Sequence, residues 1–249
     1  MDEHYNNIAV LIDADNTQIG MIKTILDESA KHGRIVVKEA FGDWSNDTLK
    51  NWEAVIKDAG IHPIQQFAYT KQKNATDMEL VISAMDLLAS EKYDLFVIVS
   101  SDSDFTPLAI RLKESGAEVF GFGEKKTPNP FVQSCDHFFY LEDLGNGEAG
   151  SEQKTKEAEK TQKEDPKIEA TISKLISLSK SHENDEGWVA GSEAGVYLQQ
   201  TDPSFSLKAL GYSKLSDFIQ KYDKRFESVF RKQPDAINPL FYFRAKTVK

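Results

Sequence analysis

Three segments of the chain carry aspartates whose setting could do chemistry, two of them at the ends of apolar runs. Asp13 and Asp15 lie in Leu11-Ile12-Asp13-Ala14-Asp15-Asn16-Thr17, Asp77 follows Ala75-Thr76, and Asp102 and Asp104 follow Val99-Ser100-Ser101. Carboxylates gathered in one place repel one another, and without a cation some must take up protons. Hard divalent ions such as Mg²⁺ or Mn²⁺ take oxygen ligands and resolve that conflict. An ion held this way activates water and stabilises charge on a phosphoryl oxygen, so the chemistry indicated is phosphoester hydrolysis. Each aspartate also has a plainer reading. Asp15, Asn16 and Thr17 suit a helix N-cap, Asp104 suits a cap for a helix starting near Thr106-Pro107, and Asp77 suits the dipole of a first helical turn. Asp13 and Asp102 resist it, because each ends or follows an apolar strand, where a lone charge is costly to bury.

The elements that must position these groups alternate in texture. Residues 8–12, 34–41, 62–68, 95–99 and 118–122 read as strands, with a last short one at 137–141. Helical patterns fill 18–31, 47–59, 77–90 and 106–115, and Gly33, Gly60 and Gly116 fall where helix C-caps belong. Strand and helix in alternation predict an α/β fold, an open parallel sheet with helices on both faces. Two runs, Val10-Leu11-Ile12 and Leu95-Phe96-Val97-Ile98-Val99, are apolar on both sides, as central parallel strands must be. Ligands in such sheets bind beyond the carboxyl ends of the strands, which is where all three acidic segments fall.

The length of 249 residues suits two domains, and the charge is unevenly divided between them. Residues 1–145 carry 13 basic and 24 acidic residues, a net of −11; residues 166–249 carry 13 and 10, a net of +3. An acidic first domain cannot hold nucleic acid by bulk charge, whereas ions can neutralise a local acidic cluster. Residues 146–165, rich in Lys and Glu and without aromatic or β-branched aliphatic side chains, read as a flexible charged linker. After it come helices at 168–180, 192–200 and 214–222, a short run Gly187-Trp188-Val189, and a hairpin of 226–233 with 240–244. Three helices and a terminal hairpin predict a small winged helix. Lys208, Lys214, Lys221, Lys224 and Arg225 form either a basic face for phosphates or an ordinary solvated face; Leu210, Leu215, Phe218 and Ile219 read as core. The single cysteine, Cys135, rules out an internal disulfide or a cysteine-rich zinc site. With no bilayer-length apolar run and no signal-peptide pattern, a cytoplasmic protein without membrane contact is expected.

Three ordered motifs, Leu11-Ile12-Asp13-Ala14-Asp15-Asn16, the run from Lys73 through Asp77 to Leu88, and the run from Phe96 through Asp102 and Asp104 to Gly123, resemble the NYN domain in its LabA-like branch. NYN domains resemble PIN-domain nucleases in fold, and the resemblance implies cleavage of RNA with Mg²⁺ or Mn²⁺ held by acidic residues. Carried over by motif, the implied metal and catalytic set is Asp13, Asp77 and Asp102 with Asp104 beside them, and Asn16 is a polar support. Many relatives carry a second acid where Ser83 stands here, which leaves open whether one or two metals bind. Residues 166–249 resemble a LOTUS (OST-HTH) domain on Gly187-Trp188-Val189, Asp202-Pro203-Ser204-Phe205 and Gly211-Tyr212-Ser213-Lys214-Leu215. That resemblance implies RNA binding or protein docking.

The first reading is therefore a metal-dependent ribonuclease acting on RNA, single-stranded by expectation, with Lys71 and Lys73 steering the phosphate backbone. A second takes Asp13-Ala14-Asp15-Asn16-Thr17 as the DxDxT pattern of haloacid-dehalogenase-like phosphatases, with Asp13 as nucleophile and Asp15 as general acid. The third is a non-catalytic RNA-binding adaptor. Oligomeric state is left open.

Overall fold

The computed structural model describes residues 5–66, 75–144, 166–182, 187–232 and 239–246. It divides into two compact units, residues 1–149 and 150–249. Lys71, Lys73 and the charged stretch 146–165 lie outside the described residues.

The first unit runs β1 (Tyr5–Asp13), α1 (Ile22–Ala30), β2 (Gly33–Gly42), α2 (Trp52–Ala59), β3 (His62–Gln65), α3 (Ala75–Ala89), β4 (Leu95–Val99), α4 (Thr106–Glu114), β5 (Glu118–Gly123), α5 (Asn129–Ser134), β6 (His137–Tyr140) and α6 (Leu141–Leu144). The six strands form one parallel sheet in the order β3-β2-β1-β4-β5-β6. The order reverses between β1 and β4, so a crevice opens beyond their carboxyl ends. β4 is fully buried along its length, as its unbroken apolar run requires.

Strand alternation divides the core. Ala9 and Leu11 of β1 pack with Leu80 and Ala84 of α3, Leu108 and Leu112 of α4, and Phe131 of α5. Ile8, Val10 and Ile12 pack on the other face with Ile22 and Ile25 of α1, Trp52 of α2 and Leu141 of α6. Full burial of such aliphatic and aromatic side chains contributes about 1.5–3 kcal/mol each. Asp13, next in the alternation after Leu11, points to the side of the sheet that α3 covers.

Two local expectations are corrected. Gly33 does not cap a helix: α1 ends at Ala30 with Lys31 as its C-cap, and Gly33 opens β2. A Cβ there would stand 2.0 Å from the Tyr5 carbonyl oxygen, so the glycine permits the close pairing of β1 with β2. Asp104 does not cap α4, whose N-cap is Phe105 without a side-chain bond; it lies in the 3₁₀ turn Ser103–Phe105, which Asp102 caps by accepting from the Asp104 N–H at 2.9 Å. Gly60 ends α2 as a left-handed C-cap with φ +61°. The helical patterns from residues 18 and 47 begin as single 3₁₀ turns, Ile19–Met21 and Asp47–Leu49, before α1 and α2. The short helices α5 and α6 have no counterpart in the sequence-based expectation.

The second unit contains α7 (Pro166–Ser181), β7 (Val189–Ala190), α8 (Gly191–Thr201), α9 (Leu215–Lys221), β8 (Phe226–Arg231) and β9 (Leu240–Ala245). Its strands form an antiparallel sheet in the order β7-β9-β8, the arrangement of a winged helix. Ile172, Leu175, Leu198, Phe218, Ile219, Val189, Phe226 and Phe243 build its core, with Leu210 and Leu215 only partly buried at its margin. Among the described residues no helix is long and apolar enough to cross a membrane.

Candidate active site

β1 delivers Asp13 to the crevice and β4 delivers Ser100 beside it, because the parallel register sets Ile12 against Val99. Asp13 is 1% exposed. Its Oδ2 accepts from the Asn16 amide at 2.9 Å and from the Ser100 hydroxyl at 2.8 Å. Its Oδ1 is buried with no hydrogen-bond partner, the single such side-chain atom among the described residues. Burial pushes the Asp13 carboxyl above its ordinary range, the bonds from Asn16 and Ser100 pull the other way, and the charge of Asp15 adds to the rise.

Ser100 does more than meet Asp13. Its Oγ also accepts from the Asp102 N–H at 3.1 Å, so one buried hydroxyl ties the end of β1 to the loop after β4. Thr17 adds a second tie, its hydroxyl donating to the Val99 carbonyl at 3.3 Å. Neither tie is legible in the sequence; the pair Ser100-Ser101 between an apolar strand and an acid is the available signal.

Asp77 sits in the first turn of α3, half-buried and facing the same edge. Burial and then the charges of Asp13, Asp102, Asp104 and Asp15 push its carboxyl up to about 6. The fold therefore brings Asp77 within electrostatic reach of the other four aspartates. Asp15 reaches solvent, yet partial burial raises it too, against hydrogen bonds from the Thr76 side chain and the Asp43 N–H. Those bonds engage the residue that the phosphatase reading needs as general acid.

The donor set is all hard carboxylate oxygen, one buried oxygen is orphaned, and burial together with the neighbouring negative charge has lifted Asp77. These features fit a divalent cation in donor chemistry and in charge. Among the described residues no three acidic, histidine or cysteine side chains close around a common point. The set is an open site.

Ser83, the position at which the resemblance implied a further acid, donates its hydroxyl to Glu39 Oε2 of β2 at 2.6 Å. A carboxylate thus stands near that position, supplied by another strand. The cleft bounded by Phe41, Ile64, Glu79 and Ser83 lies farther along α3, beside this pair, and is lined by none of the five aspartates. In the second unit Lys208, Lys214, Lys221, Lys224 and Arg225 are all exposed, with Arg225 Nη2 3.5 Å from Glu169.

The NYN domain family matches residues 7–142, and the OST-HTH/LOTUS domain family matches residues 162–236. No curated protein matches the chain. Among solved structures, a protein of unknown function from Vibrio parahaemolyticus is 16% identical, covering 54% of this chain and 92% of its own, with a TM-score of 0.44. An uncharacterized protein from Nitrosomonas europaea is 27% identical, covering 41% of this chain and 92% of its own, with a TM-score of 0.30. The NYN match places the first unit in the PIN-like nuclease superfamily, and the second match adds an RNA-associated domain. With the parallel sheet, the acidic edge and a match spanning more than half of its length, the chain belongs to the NYN domain family and carries an OST-HTH/LOTUS domain after it.

Proposed function

We propose that this chain is a metal-dependent ribonuclease that hydrolyses phosphodiester bonds of single-stranded RNA in the cytoplasm. The observation that carries the reading is Asp77, lifted to about 6 by burial and four neighbouring aspartates. Carboxylates assembled at that cost to ionisation suit a cation-binding role better than a structural one.

Asp13, Asp77, Asp102 and Asp104 would hold Mg²⁺ or Mn²⁺. When bound, such an ion supplies Lewis-acid stabilisation of charge on the phosphoryl oxygens and lowers the pKa of water. The chain's own residues prepare the place. Asn16 and Ser100 fix Asp13 through one oxygen and leave Oδ1 for a cation. Ser100 also sets the start of the Asp102 loop, and Asp102 caps the turn that carries Asp104. Lys71 and Lys73 are assigned the phosphate backbone, and the LOTUS domain delivers RNA or a protein partner that carries it.

The test is cleavage of end-labelled single-stranded RNA by the full chain with Mn²⁺, Mg²⁺ or EDTA, comparing wild type with Asp102→Asn. Cutting that needs metal and is lost in the variant is the expected result. Equal cutting by both proteins overturns the proposal.

A further inference from the structure

We propose that the solvent-side face of the β7-β9-β8 sheet binds single-stranded RNA through an arginine–aromatic ladder. This rests on the RNA-directed reading above but concerns binding, in a different unit from the acidic edge. In the β8–β9 register, Phe226↔Ala245 and Ser228↔Phe243 alternate with Glu227↔Arg244, Val229↔Tyr242 and Arg231↔Leu240. Phe226 and Phe243 belong to the core, so the second set faces away from it. Trp188 precedes the buried Val189, which pairs with Phe243, and so joins that outer face.

The guanidinium groups of Arg231 and Arg244 each lie 4.7 Å from the centroid of the Trp188 ring. Arg231 also lies 5.2 Å from the Tyr242 ring. Arg244 is further held by Glu227, with Nε and Nη2 at 3.0 and 2.9 Å from the same carboxylate oxygen. A stapling role for the hairpin explains one such contact. It does not explain a run of planar groups on the side of the sheet opposite the core, continued by Leu240, which is 42% exposed.

Charge selects the occupant. Residues 166–249 carry a net of +3 against −11 for residues 1–145, so phosphate is attracted to this unit and repelled by the other. The Arg231 guanidinium, stacked on two rings, offers edge donors for phosphate oxygens, whereas Arg244 gives Nε and Nη2 to Glu227 and contributes its stacked plane. Bases are open to such stacking only where they are unpaired, which favours a single strand over a duplex. Around α9, by contrast, the described cation–ring contacts include none of the lysines.

The test uses the full chain carrying Asp102→Asn, in EDTA, so that cleavage plays no part and failure of the ribonuclease proposal leaves the measurement intact. The probe is a fluorescein-labelled oligouridylate about 20 nucleotides long, longer than the span of a small domain. Adding Arg231→Ala with Arg244→Ala should weaken binding about tenfold or more. The slope of log K against log salt should flatten by roughly 0.7 for each phosphate that the variant no longer neutralises. Arg231→Lys with Arg244→Lys keeps the charge but loses the planar group; it should retain the salt slope while losing part of the affinity. Lys208→Ala, Lys214→Ala and Lys221→Ala together lower the unit's net charge and should weaken binding, but less than the arginine pair does, and thermal melts identify any variant that is unfolded. Wild-type affinity in the folded arginine variant, weakening confined to the lysine variant, or no binding by the parent chain each overturns the proposal. The first of these would leave the face to a protein partner.

Discussion

The acidic edge of the NYN unit and the outer sheet face of the LOTUS unit treat charge in opposite ways. At the edge, like charges are crowded, one carboxylate is almost wholly buried, and one of its oxygens has no partner. On the sheet face, arginines lie over rings and one of them is paired with Glu227. In the first arrangement Asp13, Asp15 and Asp77 are harder to ionise folded than unfolded, which disfavours folding as pH rises and supports the proposed cation site. The second is satisfied within the fold and stays open to solvent. Instability concentrated at one place in an otherwise well-packed sheet is the physical mark of a site.

The largest effect expected from breaking this contrast is at Asp13. Asp13→Asn removes the buried charge but retains an oxygen that accepts from Asn16 and Ser100. Cleavage should fall on the order of a thousandfold, the scale of losing a preorganised electrostatic group. Stability at pH 7 should not fall, because a neutral amide is less costly to bury than a carboxylate. Parallel activity assays and denaturant melts check both halves. A variant that loses stability together with activity would make Asp13 a structural residue.

Ser100→Ala tests whether the edge is held as a unit. The change frees the Asp102 N–H and leaves Asp13 Oδ2 with the Asn16 amide alone. Groups that orient metal ligands typically contribute 10–100-fold to activity or metal affinity, so a drop of about that size is expected. Manganese titration by calorimetry, beside the cleavage assay, separates weaker metal binding from misplaced substrate.

Much of this is legible in the sequence, for reasons that differ residue by residue. Asp13 and Asp102 announce themselves because an apolar strand runs directly into each. The six strands are legible because β-branched and aromatic runs alternate with helical spacing; β4 spans Leu95–Val99 in pattern and in structure alike. Gly33 misleads because a glycine after a helix also suits a strand start pressed against a neighbouring backbone. α5 is hidden because Pro128-Asn129-Pro130 reads as a loop, although proline is tolerated in a first helical turn. Ser100 cannot be read as a tie between two acids, since its partner Asp13 lies 87 residues away and meets it only through parallel register. The same holds for Trp188, Arg231 and Arg244, which only antiparallel pairing brings onto one face.

The pH dependence of stability sharpens the contrast further. The folded carboxyl of Asp77 is raised from 3.8 to about 6. Below the unfolded value both states hold the proton and the group is neutral to stability. As pH rises through that value and on to about 6, the unfolded chain releases its proton first, so folding is progressively disfavoured. Asp77→Asn should therefore match wild type near pH 3.5 and be more stable at pH 7.5. Asp77 is half-exposed and solvent screens it, so the gain should be about 1 kcal/mol, or a few degrees in Tm. Mn²⁺ should reverse the order at pH 7.5 by stabilising wild type alone. Melting curves at the two pH values, with and without Mn²⁺, decide this, and a pH-independent difference would mean that titration of Asp77 is not its cause.

The smallest effect belongs to the sheet face. Arg231→Ala removes the contacts with Trp188 and Tyr242 but no buried polar group, because Arg231 is exposed at the end of β8. A solvent-exposed cation–π contact contributes about 0.5–1 kcal/mol, so the melt should shift by no more than that. Added salt should change the shift little, since the contact is not an ion pair. This small cost is what separates the two regions. Where Asp77 is removed the fold gains at neutral pH, and where Arg231 is removed it loses slightly. A loss well above 1 kcal/mol would recast the ladder as a staple that the hairpin needs, and a face built for folding has less freedom to be a surface for a ligand.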